Sequence, residues 1–279
     1  MKSQKSEVRS QKLEKSRIGE TFERLKANGE KALITFITAG DPNLRTNKEI
    51  IFELEKSGAD VIELGIPFSD PMADGPTIQA ASERALKKGA TLKHVLELIK
   101  AIRKKSEIPI ILFGYYNPIF AYGAKRFAND AENAGADGLL VVDLPPEEAQ
   151  ELKAYADNAG INLIFLLTPT SDDNRMRLVA EKASGFIYYV SVAGITGARK
   201  GLSGTIRKSV NKVRQFTSLP VSVGFGISTP EQAGKVSKWA DGVVVGSAIV
   251  NVIEKNQNSP DLVKKVGEFV SRLKKGMEL

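Results

Sequence analysis

Short apolar runs alternate along the chain with segments whose apolar residues recur every three or four positions. The runs are ALITFIT (32–38), DVIELGI (60–66), IPIILFGY (108–115), DGLLVVDL (137–144), NLIFLLT (162–168), FIYYVSV (186–192), PVSVGFG (220–226) and DGVVVGS (241–247). Each is nearly continuously apolar, the pattern of a parallel strand buried on both faces. Between most of them the period becomes helical, as at Leu92, Val95, Leu96 and Ile99, or at Ile51, Leu54 and Glu55 ahead of Gly58. Ile18, Phe22 and Leu25 mark a short amphipathic helix before the first run.

Two stretches echo each other, EKSGADVIELGIPFSDP and ENAGADGLLVVDLPPEE, and KWADGVVVGS is a reduced third copy. The two full copies read as helix end, Gly-Ala-Asp turn, strand and Pro-bearing loop. A helix–turn–strand unit repeated eight times is the sequence form of an α/β fold, the (β/α)8 TIM barrel. The expected organisation is one barrel domain over 18–279 behind a charged, flexible extension over 1–17. An open doubly wound sheet is the alternative, and eight strands without a Gly-rich first turn fit it less well.

Composition narrows the chemistry. The 279 residues are 42% apolar and 26% charged, as in an ordinary globular domain. No apolar run approaches the ~20 residues that cross a bilayer, and none follows the N-terminal basic residues. A cytoplasmic setting is therefore expected. With no Cys there is no disulfide, thiolate nucleophile or Cys-ligated metal, and a single His, His94, argues against a His-based triad or zinc site. No metal is expected. The net charge of +7 invites a nucleic-acid reading, but position weakens it. Six bases against two acids put +4 on residues 1–17, leaving +3 for the other 262.

A barrel of this kind carries its active site at the C-terminal ends of the strands. Three loops there hold candidate chemistry. In the second run Val61, Glu63 and Gly65 share one face and Ile62 and Leu64 the other. Glu63 is thus a carboxylate flanked by apolar neighbours, costly to bury without a partner or a task, and burial would raise its pKa toward neutrality. A hydrogen-bonded structural Glu is the alternative. Asp70 and Asp74 follow on a Pro- and Gly-rich loop, where Asp also serves as a turn or cap residue. After the sixth run, Gly194, Thr196, Gly197, Arg199, Lys200 and Gly201 suit a flexible lid over an anion, or an idle surface loop. After the last two runs, Gly224, Gly226, Gly246 and Ser247 suit a phosphate cradle at helix starts, although glycines also close tight corners. One of Tyr115/Tyr116 and one of Tyr188/Tyr189 should face the barrel mouth. His94 reads as a solvated or packing residue on a helix, and Trp239 as core.

TFITAGDP (35–42), ELGIPFSDPMADGPTIQ (63–79), YYNPIFAYG (115–123), VVDLPPEE (141–148), LTPTS (167–171), YYVSVAGITGAR (188–199), VGFGIS (223–228) and GVVVGSAIV (242–250) together resemble the tryptophan synthase alpha chain family. The resemblance runs from about residue 18 to the C-terminus. It implies a lyase that cleaves indole-3-glycerol phosphate to indole and glyceraldehyde 3-phosphate with no cofactor of its own. Its partner is a beta chain carrying pyridoxal phosphate (PLP) in an α2β2 assembly, which receives indole through a tunnel. By the same resemblance Glu63 is the general acid/base and Asp74 holds the indole N–H. Phe36, Phe113, Tyr115, Leu140 and Tyr188 line the indole pocket, and Gly197, Phe225, Gly226, Gly246 and Ser247 hold the phosphate. Thr196 closes a lid onto Asp74. The charged extension departs from the family pattern. Alternatives are another indole- or sugar-phosphate barrel enzyme, such as indole-3-glycerol phosphate synthase, a stand-alone lyase, or a non-catalytic scaffold subunit. The first lacks a catalytic-lysine pattern at an early strand end, and the intact Glu63 and Asp74 argue against the last.

Overall fold

In the computed structural model, which describes residues 16–191, 202–224 and 226–278, the eight apolar runs become the eight strands. They are β1 (Ala32–Thr38), β2 (Val61–Gly65), β3 (Ile110–Gly114), β4 (Gly138–Val141), β5 (Asn162–Leu167), β6 (Ile187–Val190), β7 (Val221–Gly224) and β8 (Gly242–Val245). All pair in parallel in sequence order, and β8 returns to β1 with Ala32 opposite Gly242, so the sheet is a closed barrel rather than an open one. Several strands are shorter than their apolar runs because the last residues turn into the loops above the barrel. Val142 and Asp143, for instance, lie beyond β4.

The helices follow their strands: α1 (Arg17–Ala27), α2 (Leu44–Lys56), α3 (Pro76–Lys87), α4 (Leu92–Ile102), α5 (Tyr116–Tyr122), α6 (Ala124–Ala134), α7 (Gln150–Ala159), α8 (Asp173–Lys182), α9 (Leu202–Val213), α10 (Pro230–Ser237), α11 (Ser247–Asn256) and α12 (Leu262–Met277). Alternate strand residues serve two cores. Leu33, Ile37, Ile62 and Leu64 face the helices. Ala32, Ile34, Val61, Ile111, Leu140, Ile164, Phe186 and Val244 fill the barrel itself. Ser16 caps α1 by accepting the Gly19 N–H, and Ile18, Phe22 and Leu25 then pack into the N-terminal end of that inner core. Phe22 meets Phe186 with ring centroids 5.6 Å apart. The bottom of the barrel is therefore sealed. Residues 1–15 lie outside the described residues. Trp239, expected in the core, is only half-buried at the end of α10, with the Arg207 guanidinium 4.7 Å above its ring.

The echoed Gly-Ala-Asp turns have a structural job. At the head of β2, Asp60 accepts the Leu33 N–H of β1 at 2.8 Å, while its own N–H donates to the Leu33 carbonyl. Asp137 does the same with Ile110 of β3, and Asp241 with Val221 of β7. The fourth corner, between β5 and β6, uses the Ser184 hydroxyl on Leu163. Every odd strand is thus clipped at its N-terminal end to the next strand, closing backbone groups that a sheet edge leaves open. Three corners carry a cation as well: Lys274 on Asp60, Arg103 and Arg17 on Asp137, and Arg214 on Asp241. Because the Asp137 and Arg103 side chains are 4% and 10% exposed, Asp137→Ala strands a buried guanidinium and should cost roughly 3 kcal/mol. Asp241→Ala, whose carboxylate is 30% exposed, should cost less. Urea unfolding midpoints check the order, and equal midpoints for the two variants would contradict it.

Candidate active site

Strand β2 aims Glu63 into the barrel, in register between Phe36 of β1 and Ile111 of β3. The residue is 1% exposed, and its Oε1 has no hydrogen-bond partner among the described residues. Among the described residues no cation offsets the loss of water. Burial alone therefore pushes the carboxyl up to about 8, so the acid form dominates at neutral pH. Among the described residues nothing satisfies Oε1 as the hydrogen-bonded structural alternative would require. Tyr188 of β6 also points inward, packed on the inner core, and Tyr189 packs outward among the helices. β2 and β6 stand opposite each other in the eight-strand ring, so the two inward groups face across the barrel, and burial, then the Glu63 charge, pushes the Tyr188 phenol well above its ordinary value. Gly224 on β7 keeps that space free, since a Cβ there would run into the Tyr188 hydroxyl and come 2.9 Å from Val244.

Above this layer the loop after β2 brings in the second carboxylate. Tyr115, the N-cap of α5, donates from its phenol to Asp74 Oδ2 at 3.0 Å and accepts the Ala73 N–H at 2.9 Å. Phe68 lies against the Tyr115 ring, centroids 5.4 Å apart. Burial raises the Asp74 pKa, and the Tyr115 hydrogen bond partly opposes the rise. Asp74 is not a helix cap: α3 has Gly75 at its N-cap with no side-chain bond. Asp70 stays on the exposed part of the loop, taking the Ser69 hydroxyl at 2.5 Å.

Phe36 and Phe113 form the apolar wall, edge-on with centroids 5.1 Å apart at 76°. Gly65 makes room for this wall, as a Cβ there would stand 2.7 Å from the Phe36 ring. Leu140 lies fully buried in the inner core beneath. On the far side α11 starts at Ser247 with Gly246 as its N-cap and no side chain closing its first turn, so helix-start N–H groups stay open to an anion. The start of α10 differs. Thr229 and Gln232 form a capping box, and Gln232 also takes the Ser228 N–H, so that helix end is occupied. Gly226 sits exposed before it at φ +73°. Gly194, Thr196, Gly197, Arg199, Lys200, Gly201 and Phe225 lie outside the described residues.

His94 lies on α4 with its ring bonded to Thr91, away from these groups. Among the described residues no group of three or more His, Cys, Asp or Glu could hold a metal, and no helix is long and apolar enough to cross a membrane. A cavity of about 520 Å³ beside the β5–α8 loop is walled by Glu147, Thr168, Asp172 and Arg175, and neither Glu63 nor Asp74 reaches it. Sequence reasoning missed the pair of buried Asp41 and half-buried Arg84, 43 positions apart. The one signal was a charged residue next to Ala85 on the packed face of α3.

The sequence model of a family described as tryptophan synthase alpha chain matches residues 22–278. The tryptophan synthase alpha chain of Geobacter sp. (strain M21) is 60% identical over 262 residues, covering 94% of this chain and 98% of its own. That of Thermoanaerobacter sp. (strain X514) is 48% identical over 259 residues, covering 93% and 98%. Among solved structures, tryptophan synthase subunit alpha from Legionella pneumophila str. Paris superposes with a TM-score of 0.88 at 43% identity, over 94% of this chain and 98% of that one. A structure of Mycobacterium tuberculosis tryptophan synthase gives 0.86 at 34%, over 95% and 99%.

Burying Glu63 unpaired has a measurable cost. Its folded pKa of about 8 lies above the unfolded 4.5, so the native state binds the extra proton. The Glu63 contribution to stability is then full below about pH 4.5 and is lost as pH rises toward 8, by about 3 kcal/mol at neutral pH. Glu63→Gln should remove that component. Urea titrations of both proteins between pH 5 and 8 read the difference, and parallel curves would contradict it.

Proposed function

The chain belongs to the tryptophan synthase alpha chain family, lyases that cleave indole-3-glycerol phosphate, and from that premise we propose that Glu63 and Asp74 carry the reaction here. The observation that carries the proposal is an uncompensated carboxyl, 1% exposed and titrating near 8, directed into the barrel. In its acid form Glu63 protonates indole C3, which places positive charge on the ring nitrogen. Asp74 accepts the indole N–H and stabilises that charge. Glu63, now a carboxylate, takes the proton of the hydroxyl on the carbon attached to C3. That C–O becomes a carbonyl, the C3–C bond breaks, and its electron pair restores the aromatic ring. Indole and glyceraldehyde 3-phosphate result, with the proton count balanced.

Phe36, Phe113, Tyr115, Leu140 and Tyr188 form the indole pocket, with the edge-on Phe36–Phe113 pair and the tilted Tyr115–Phe68 pair as its aromatic walls. The open helix start at Gly246 and Ser247, with Gly226, Phe225 and Gly197, takes the phosphate, and Thr196 closes the lid onto Asp74. The family carries no cofactor of its own, PLP belonging to the beta chain. An α2β2 assembly with that chain, which receives indole through a tunnel, and a cytoplasmic location complete the proposal; the extension expected over 1–17 is dispensable only through residue 15, since Ser16 caps α1 and Arg17 pairs with Asp137. Met72 at 86% and Phe120 at 67% are the exposed large apolar side chains among the described residues. They follow the adjacent strands β2 and β3 at the C-terminal end of the barrel, where they offer an apolar patch to the beta chain.

Indole release from indole-3-glycerol phosphate, with and without a beta chain, tests the reading, and no indole under either condition would overturn it. Glu63→Gln should lower kcat by roughly 1,000-fold or more, and Asp74→Asn by a smaller factor. Because the acid form of Glu63 starts the reaction, kcat/KM should fall tenfold per pH unit above the folded pKa of about 8, and it should fall again at acid pH where Asp74, raised by burial, takes up its proton. Phe120→Ser combined with Met72→Ser should weaken beta-chain binding at least about tenfold by calorimetry. Unchanged affinity would place the docking face elsewhere.

A further inference from the structure

Asp74 sits on a loop held on one side by Tyr115, and it runs straight into the first turn of α3. Within that turn Gln79 Nε2 donates to the Asp74 carbonyl at 2.9 Å. The height of Asp74 over the barrel therefore follows the placement of α3. Three contacts fix that helix. Ile78 and Ala81 pack with Phe36 and with Val250 of α11 in a small apolar cluster of their own. Thr77 donates to Asn251 of α11 at 3.3 Å. Near the far end Arg84 grips the buried Asp41 with Nε at 2.9 Å and Nη2 at 2.8 Å, while Nη1 reaches Glu254 of α11 at 2.8 Å.

Asp41 is itself immobilised. It is 1% exposed, its carbonyl and that of Thr38 both accept from Asn47 Nδ2 at 3.0 Å, and Asn47 is fully buried in α2. Arg84 thus ties α3 to a fixed point at the top of β1 and to the helix whose opposite end opens at Ser247. We infer that Arg84 is a positioning residue for Asp74, holding α3 at the angle that brings Asp74 to the substrate ring at a fixed offset from the anion end. This rests on the reading of Asp74 given above.

The leverage is direct. Arg84 lies ten residues along the chain from Asp74, roughly 15 Å along the axis, so a helix rotation of about 4° moves Asp74 by about 1 Å. A displacement of that size costs up to about 100-fold in rate. Lys at this position keeps a charge but loses the planar fork that spans two carboxylates.

The test is steady-state kinetics of the full-length chain with its beta chain on indole-3-glycerol phosphate. Arg84→Lys should lower kcat on the order of 10- to 100-fold, with KM changed less than about threefold. Glu254→Ala, which removes one arm and leaves the Asp41 pair intact, should lower kcat by a smaller factor and covers the case in which Arg84→Lys folds poorly. On an Asp74→Asn background, Arg84→Lys should add no further loss, because the group being positioned is gone. A structural role alone would lower the melting temperature with kcat unchanged below it, or give losses that multiply in the double variant. Either result overturns the inference. Wild-type kcat in Asp74→Asn alone would instead overturn the role of Asp74.

Discussion

Eight parallel strands that pair in a ring must satisfy all eight registers together, so no strand can slip by one residue without breaking both of its pairings. Slippage would also exchange inner and outer faces. In this chain that exchange would carry Glu63 from the sealed interior to the helix layer and Leu64 into the barrel. The unpaired carboxylate is an energetic cost that one strand could relieve by turning outward, and ring closure forbids the turn. The four corner clips at Asp60, Asp137, Ser184 and Asp241 fix the strand starts from which the registers count. The corner clips and the candidate site accordingly occupy opposite ends of the barrel.

The chain made its fold legible because parallel strands buried on both sides leave continuous apolar runs, and the helical period fills the gaps. Glu63 was legible for a related reason: with a period of two, a charged residue between apolar neighbours has few places to go. The Gly-Ala-Asp echo was visible, but its purpose was not. Each Asp bonds an N–H on the preceding strand, 27 positions away at Asp60 and Asp137 and 20 at Asp241, and no local pattern reports such a pair. The fourth corner escaped because Ser184 does the same work with a hydroxyl. Asp74 could be read as cap or acid, and Tyr115, 41 positions on, decides against the cap. The Arg84 brace likewise joins residues that only tertiary packing brings together. Trp239 misled because a large aromatic near a helix end resembles core, whereas here a guanidinium covers it.

The two helix starts that follow β7 and β8 contrast instructively. Both follow neighbouring strands and both carry glycines, yet α10 spends its free N–H groups on Thr229 and Gln232 while α11 keeps its own. A glycine-rich sequence alone does not separate these cases. The side chains that complete the first turn do, and they are readable three residues downstream.

The plug of Ile18, Phe22 and Leu25 makes the barrel a cup rather than a tube. Under the proposal, a molecule released at Glu63 would leave upward past Phe36 and Phe113, toward the rim that bears Met72 and Phe120 among the described residues. An apolar fragment would cross an apolar rim, and whatever sits on that rim becomes the gatekeeper of its departure. Sealing the floor with α1 thus converts a packing detail at one end into control of traffic at the other.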